Sequence, residues 1–280
     1  MLFVQNAPKK ITAETPAELG GKMLPGPILF GVVYMYGLMI AIGILGTFIT
    51  LTLGGKKLKI SESFLDFTFF LGIGAIVVGF LSASLFQAVY NFIENPAAGF
   101  KFGQSMTFMG GLIGGVVSFL IVYFIARPKL HGRLIDIISL VPCCITIAHG
   151  FGRIGCFFAG CCYGIETDSW LGVKFPALPH PVHPTQLYEA AFLLLLFGVM
   201  LFLLLKFNFR HNMSIYLISY GIFRFLLEFI RGDHRGELVT GISPSQFWSI
   251  PMVILGIALI FLLNYLQKKR DVEKAEGKFV

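Results

Sequence analysis

Apolar residues run along this chain in long blocks, at 27–53, 63–90, 105–126, 134–157, 186–205, 213–231 and 245–266. Each is close to or longer than the ~20 residues that a helix needs to cross a bilayer. The pattern predicts an all-α integral membrane protein with about seven transmembrane helices. Residues 1–26 are polar, with Lys9, Lys10, Pro8, Pro16 and Pro25, and have neither the short apolar core nor the small-residue cleavage site of a signal peptide. They read as an N-terminal polar or interfacial tail, followed by a seven-helix domain over 27–266 and a basic tail over 267–280.

Composition supports this reading. With 280 residues, 56% hydrophobic and 13% charged, and a mean hydropathy of +0.79, the chain is more apolar than a soluble domain of its size can conceal. Its 32 glycines suit helices that approach closely in lipid. The net charge of +7 invites a nucleic-acid reading, but the basic residues are dispersed among short segments between apolar runs, so no nucleic-acid partner is expected. Thirteen lysines and arginines lie in 54–62, 127–133, 206–212 and the C-terminal tail, whereas the alternate connections carry Lys101, Lys174 and Arg235 alone. That asymmetry predicts the N-terminus outside and the C-terminus in the cytoplasm. It also predicts an outer-face loop at 158–185, rich in proline and longer than a mere connection requires.

Candidate chemistry gathers beside that loop. In His149-Gly-Phe-Gly-Arg153-Ile-Gly155-Cys156, His149, Arg153 and Cys156 fall on one helical face. An ionisable group within a span costs roughly 2.5–3.5 kcal/mol at the bilayer centre and usually marks a site. The sixth span aligns Tyr220, Arg224, Glu228 and Arg231, with Arg224 and Glu228 at pairing distance. Two inward-facing arginines, Arg153 and Arg224, suit a phosphate or carboxylate. At the start of the fifth span, Thr185 reads as an N-cap and Tyr188 as an interfacial aromatic. Gln186 and Glu189 sit too near the hydrocarbon for a purely structural role. Gly110, Gly111, Gly114 and Gly115 read first as helix packing, with a backbone opened to a lipid headgroup as the alternative. Tyr34 and Tyr36 in the first helix, and Gln87 and Asn91 in the second, are polar groups that a helix–helix hydrogen bond would explain singly.

All five cysteines, 143, 144, 156, 161 and 162, fall in one short segment. Cys156, Cys161 and Cys162 with His149 offer enough nitrogen and sulfur for zinc, but the spacing is not that of a zinc ribbon and adjacent cysteines rarely hold one ion. A structural or disulfide role, a thiolate nucleophile near Arg153 and metal binding all remain open readings.

Taken together, these residues resemble the prolipoprotein diacylglyceryl transferase family. Gly152-Arg153-Ile154-Gly155, with Gly164 near the end of the same signature, carries the likeness. So do His183-Pro-Thr-Gln-Leu-Tyr-Glu189, Phe223-Arg224-Phe-Leu-Leu-Glu228-Phe-Ile-Arg231, Met109-Gly-Gly-Leu-Ile-Gly114 and, more loosely, Tyr36-Gly37. Met109 stands where the family has a histidine, Cys156 where it has an asparagine, Ala159-Gly160-Cys161-Cys162 in place of an asparagine–glutamate pair, and Ser82-Ala83-Ser84 where an arginine is expected.

The resemblance implies a multi-pass protein of the bacterial cytoplasmic membrane that needs no cofactor. It moves a diacylglyceryl group from phosphatidylglycerol to the lipobox cysteine of a prolipoprotein signal peptide, releasing glycerol phosphate. Arg153, Arg224, His149 and Glu228 are the expected catalytic residues. Tyr36, Gly110, Gly111, Gly155, Gly164, Gln186, Tyr188, Glu189 and Arg231 are the expected substrate-binding ones. His149 or a local thiolate would supply the base that Met109 cannot. The second reading is a related transferase with a different acceptor, or a non-enzymatic lipid- or metal-binding membrane protein. A transporter is disfavoured by the lack of a detectable internal repeat.

Overall fold

The computed structural model describes residues 28–29, 33–96, 99–103, 107–130, 132–232 and 242–275. The tail of 1–26, Gln104, Ser105, Met106 and Arg235 lie outside them. The described chain opens with two short strands, β1 Ile28–Leu29 and β2 Val33–Tyr34, paired antiparallel with Ile28 opposite Tyr34. The first helix, α1, therefore covers Met35–Lys57 and starts later than the apolar pattern suggested. Tyr34 consequently belongs to a strand and not to the first helix.

The remaining helices are α2 Glu62–Glu94, α3 Phe108–Ala126, a single turn α4 Leu134–Ile137, α5 Val141–Phe158, α6 Thr185–Phe207, α7 Asn212–Leu227 and α8 Pro244–Ala275. Seven of the described helices, all but α4, are long and apolar enough to cross a membrane, α7 being counted with the 3-10 turn Glu228–Ile230 that extends it. The expected fourth span divides into α4 and α5. Pro142 lies in the first turn of α5, where a missing N–H breaks no helical hydrogen bond. Asn208 stops α6 in a left-handed conformation with φ 50°. The last helix continues through Ala275, so most of the predicted basic tail is helical.

The chain divides into two compact units, Leu51–Ile137 and a second formed by Met1–Thr50 with Ile138–Val280. In the first, α2 packs on α3 through small residues. A side chain at Gly111 would meet Ala83 Cβ and the Gly79 carbonyl at 3.2 Å, and one at Gly115 would meet the Ala75 carbonyl at 3.2 Å. Thr107 donates a hydrogen bond to Gln87, whose Nε2 donates to Asn91 Oδ1 at 2.9 Å. Gln87 and Asn91 are thus engaged in local hydrogen bonds. In the other unit, α5 packs on α6 and α7 on α8. Thr47 of α1 donates to the Cys144 carbonyl at 3.0 Å. The fully buried Asn212 amide donates to the carbonyls of Ser139 and Met200, both at 3.0 Å, and ties the start of α7 to α6 and to the segment before α5.

Candidate active site

Three helices of this second unit bring the charged residues together. On α5, His149 and Arg153 are one turn apart, and both reach the carboxylate of Glu189 from the first turns of α6. Arg153 Nε lies 3.0 Å from Glu189 Oε2, and His149 Nε2 lies 3.5 Å from Oε1. From α7, the Tyr220 hydroxyl donates to Glu189 Oε1 at 2.7 Å, and its ring meets the His149 imidazole edge to face with centroids 5.2 Å apart. Glu189 is fully buried, so its charge is tolerable only because these groups surround it. The Arg153–Glu189 approach is an ion pair without an aligned hydrogen bond through Nε, since that nitrogen and Oε2 meet no partner in hydrogen-bond geometry.

A second cluster follows one turn further along α7. Arg224 Nη1 lies 2.6 Å from Glu228 Oε2, and its Nη2 donates to Ser245 Oγ at 2.6 Å. Arg231 Nε lies 3.9 Å from the same Glu228 oxygen. Arg224 is within electrostatic reach of Glu189, so the two clusters form one field. Two guanidinium groups, one buried and one partly exposed, each beside a carboxylate, make a surrounding suited to an anion that arrives with an apolar tail.

Between α5 and α6 the chain folds into an ordered structure of its own. Glu166 and Val173 both bridge to Val182, and Phe175, Leu178 and Val182 form a small core that Phe157, Tyr163 and Val173 cover. This loop is fastened to the end of α7: Gly164 bridges to Arg231, and the Ile165 N–H donates to the Ile230 carbonyl at 3.0 Å. Gly164 has no room for a side chain, because a Cβ there would lie 2.5 Å from the Ile230 carbonyl and 2.8 Å from both His183 and Thr185. Trp170 stands at the loop tip, 90% exposed.

Other expected residues occupy distinct places. Gly155 lies against the ring of Tyr36 at the start of α1, 3.1 Å from where its Cβ would be. Thr185 is not an N-cap: it is the first residue of α6, and its hydroxyl donates backward to the Cys162 carbonyl at 2.8 Å. Gln186 donates to the Cys161 carbonyl at 2.5 Å, and the Tyr188 hydroxyl meets His183 Nδ1 at 3.1 Å. Gly110 and Gly111 lie in α3 against Phe86 and Ala83 of α2. Cys156, Cys161 and Cys162 hold their sulfurs within 4.8 Å of one another. Hydrogen bonding to Cys156 and Cys162, and then burial, push the Cys161 thiol up, so it is protonated and a poor nucleophile. Ser245 is the partner that sequence reasoning missed. A serine in the first turn of the last helix carries no signal until α8 is packed against α7.

The chain matches known proteins over most of its length. Residues 27–262 match the family model described as prolipoprotein diacylglyceryl transferase. The phosphatidylglycerol–prolipoprotein diacylglyceryl transferase of Clostridium tetani is 37% identical over 251 residues, covering 86% of this chain and 97% of that protein. A Clostridium perfringens protein named phosphatidylglycerol–prolipoprotein diacylglyceryl transferase 2 is 34% identical over 257 residues, covering 87% and 96%. The corresponding transferase of Pseudoalteromonas atlantica is 34% identical over 256 residues, covering 84% and 88%.

Proposed function

The chain belongs to the prolipoprotein diacylglyceryl transferase family, and from that membership we propose that this multi-pass membrane enzyme transfers the diacylglyceryl group of phosphatidylglycerol to a prolipoprotein. The acceptor is the thiol of a lipobox cysteine in the signal peptide, presented at the outer face of the bacterial cytoplasmic membrane. Residues 27–266 form the transferase domain, flanked by the tails 1–26 and 267–280.

The observation that carries this reading is a pair of arginines held by carboxylates, the partly exposed Arg153 by Glu189 and the buried Arg224 by Glu228. In the reaction the cysteine sulfur attacks the glyceryl carbon, a carbon–sulfur bond forms, and the bond from that carbon to the phosphate oxygen breaks. Glycerol phosphate leaves with the electron pair. Arg153 and Arg224 hold the lipid phosphate and stabilise the charge that grows on the leaving oxygen, where preorganised donors act most strongly. The thiol proton passes to His149, and the Glu189 carboxylate beside it stabilises the resulting imidazolium. Glu228 and Ser245 orient Arg224, while Tyr36, Gly155, Gly164 and Tyr188 shape the walls. Gln186 and Arg231 complete the proposed substrate contacts on this unit, while Gly110 and Gly111 serve the packing of α3 on α2.

The test is transfer of labelled diacylglyceryl from phosphatidylglycerol to a lipobox peptide by purified protein. Arg153→Ala and Arg224→Ala are each expected to lower the rate by about 10²–10³, the size expected for removing one transition-state donor. His149→Asn is expected to lower kcat without weakening lipid binding. Full activity in both arginine variants, or no transfer by the wild-type protein, would refute the assignment.

A further inference from the structure

The three sulfurs of Cys156, Cys161 and Cys162 converge, and nothing in the transfer reaction uses them. Their convergence depends on an uncommon backbone. After Phe158 ends α5, Gly160 adopts φ 66° and Cys162 adopts φ 64°. A left-handed conformation is easy for glycine, but for a residue with a Cβ it is sparsely populated and costs of order 1–3 kcal/mol unless the surroundings impose it. Here they do. The Cys161 N–H donates to the Cys156 carbonyl at 3.2 Å, the Cys161 carbonyl accepts from Gln186 at 2.5 Å, and the Cys162 carbonyl accepts from Thr185 at 2.8 Å. The turn therefore directs two neighbouring cysteines to one point, where the end of α5 delivers a third. This removes the usual objection to adjacent residues sharing an ion.

From this geometry we infer that Cys156, Cys161 and Cys162 bind a thiophilic d10 cation, Zn2+ or Cu+, as a structural clip. Three sulfurs around zinc at about 2.3 Å stand about 3.8 Å apart. The observed separations, all within 4.8 Å, close to that by small side-chain rotations. Thiolate is the ligand that selects these ions over magnesium or calcium. A disulfide uses two sulfurs and leaves the third without a role, whereas an ion held by three protein thiolates uses all of them. Binding forms three metal–sulfur bonds and releases three thiol protons, with no change in oxidation state. The ion would join the end of α5, three residues beyond Arg153, to a turn that Thr185 and Gln186 hold on α6, the helix that carries Glu189. It touches no reacting atom and is independent of the acceptor that the enzyme uses.

The experiment takes the full-length protein in detergent, purified without chelator. Zinc and copper are measured by mass spectrometry of the elements, and the number of alkylatable thiols by intact mass, before and after chelation. The wild-type protein is expected to hold about one equivalent of metal, and the Cys156→Ser/Cys161→Ser/Cys162→Ser protein less than about a tenth. The element found distinguishes zinc from copper. Stripped wild-type protein given Zn2+ alone, or Cu+ alone under reductant, is expected to release protons and to shield three thiols from alkylation. This measurement stands even if the triple variant fails to fold. Equal metal in both proteins, no protection by either ion, or a disulfide among the three cysteines would overturn the inference.

Discussion

The α2–α3 pair and the α5–α6–α7 group are both built from apolar spans, yet they cohere by opposite means. Only 11% of the most apolar window of α2, and of α3, is buried within the protein, against 33% for α5 and α7. The first pair turns Phe70, Phe80, Ile121 and Phe124 outward and holds together where small residues let the backbones approach. The second group buries Glu189 and Arg224 and joins its helices through the Arg153–Glu189 ion pair and the Tyr220–Glu189 hydrogen bond. The difference teaches where chemistry can reside. Shape complementarity holds a hairpin in lipid at little cost, while buried charge is expensive and persists where its field is used.

Four substitutions would break or sharpen that contrast, taken from the largest effect to the smallest. Glu189→Gln leaves Arg153 uncompensated beside a fully buried position. It is expected to cost about 3–5 kcal/mol, seen as a lower midpoint of thermal unfolding in detergent, together with loss of transfer. Tyr220→Phe keeps the ring against His149 but removes a hydrogen bond to a charged group. A loss of about 1.5–3 kcal/mol is expected, divided between stability and transfer rate. Gly114→Leu acts on the other region, where its Cβ would crowd Ser82 on α2. Overpacking of this kind costs about 1–3 kcal/mol, and transfer per folded molecule should not change. Ile121→Leu, on an outward face, should alter unfolding by less than about 0.5 kcal/mol. If Gly114→Leu abolished transfer in protein that remained folded, or if Glu189→Gln were silent, the two regions would not differ as described.

Much of this was legible in the chain itself. Long apolar runs dictate seven membrane-crossing helices because backbone polar groups in lipid must be satisfied within a helix. The spacing of Arg224 and Glu228 dictates their pairing, since four residues complete about one helical turn. Local sequence also brought His149 and Arg153 onto one face, and the ordered motifs identified the family.

Tertiary structure decided the rest. Glu189 is 36 positions beyond Arg153, and no helical periodicity relates residues on different helices, so their pairing appears only once α5 lies on α6. The same holds for Tyr220 on Glu189 and Ser245 on Arg224. The start of α1 at Met35 and the division of α4 from α5 escaped the apolar pattern, because hydropathy averages over a window and does not register where one helix stops and the next begins. The meeting of Cys156, Cys161 and Cys162 depends on a left-handed Cys162 whose carbonyl is held by Thr185 from another helix. Composition could count those thiols, and only the fold could bring them to one point.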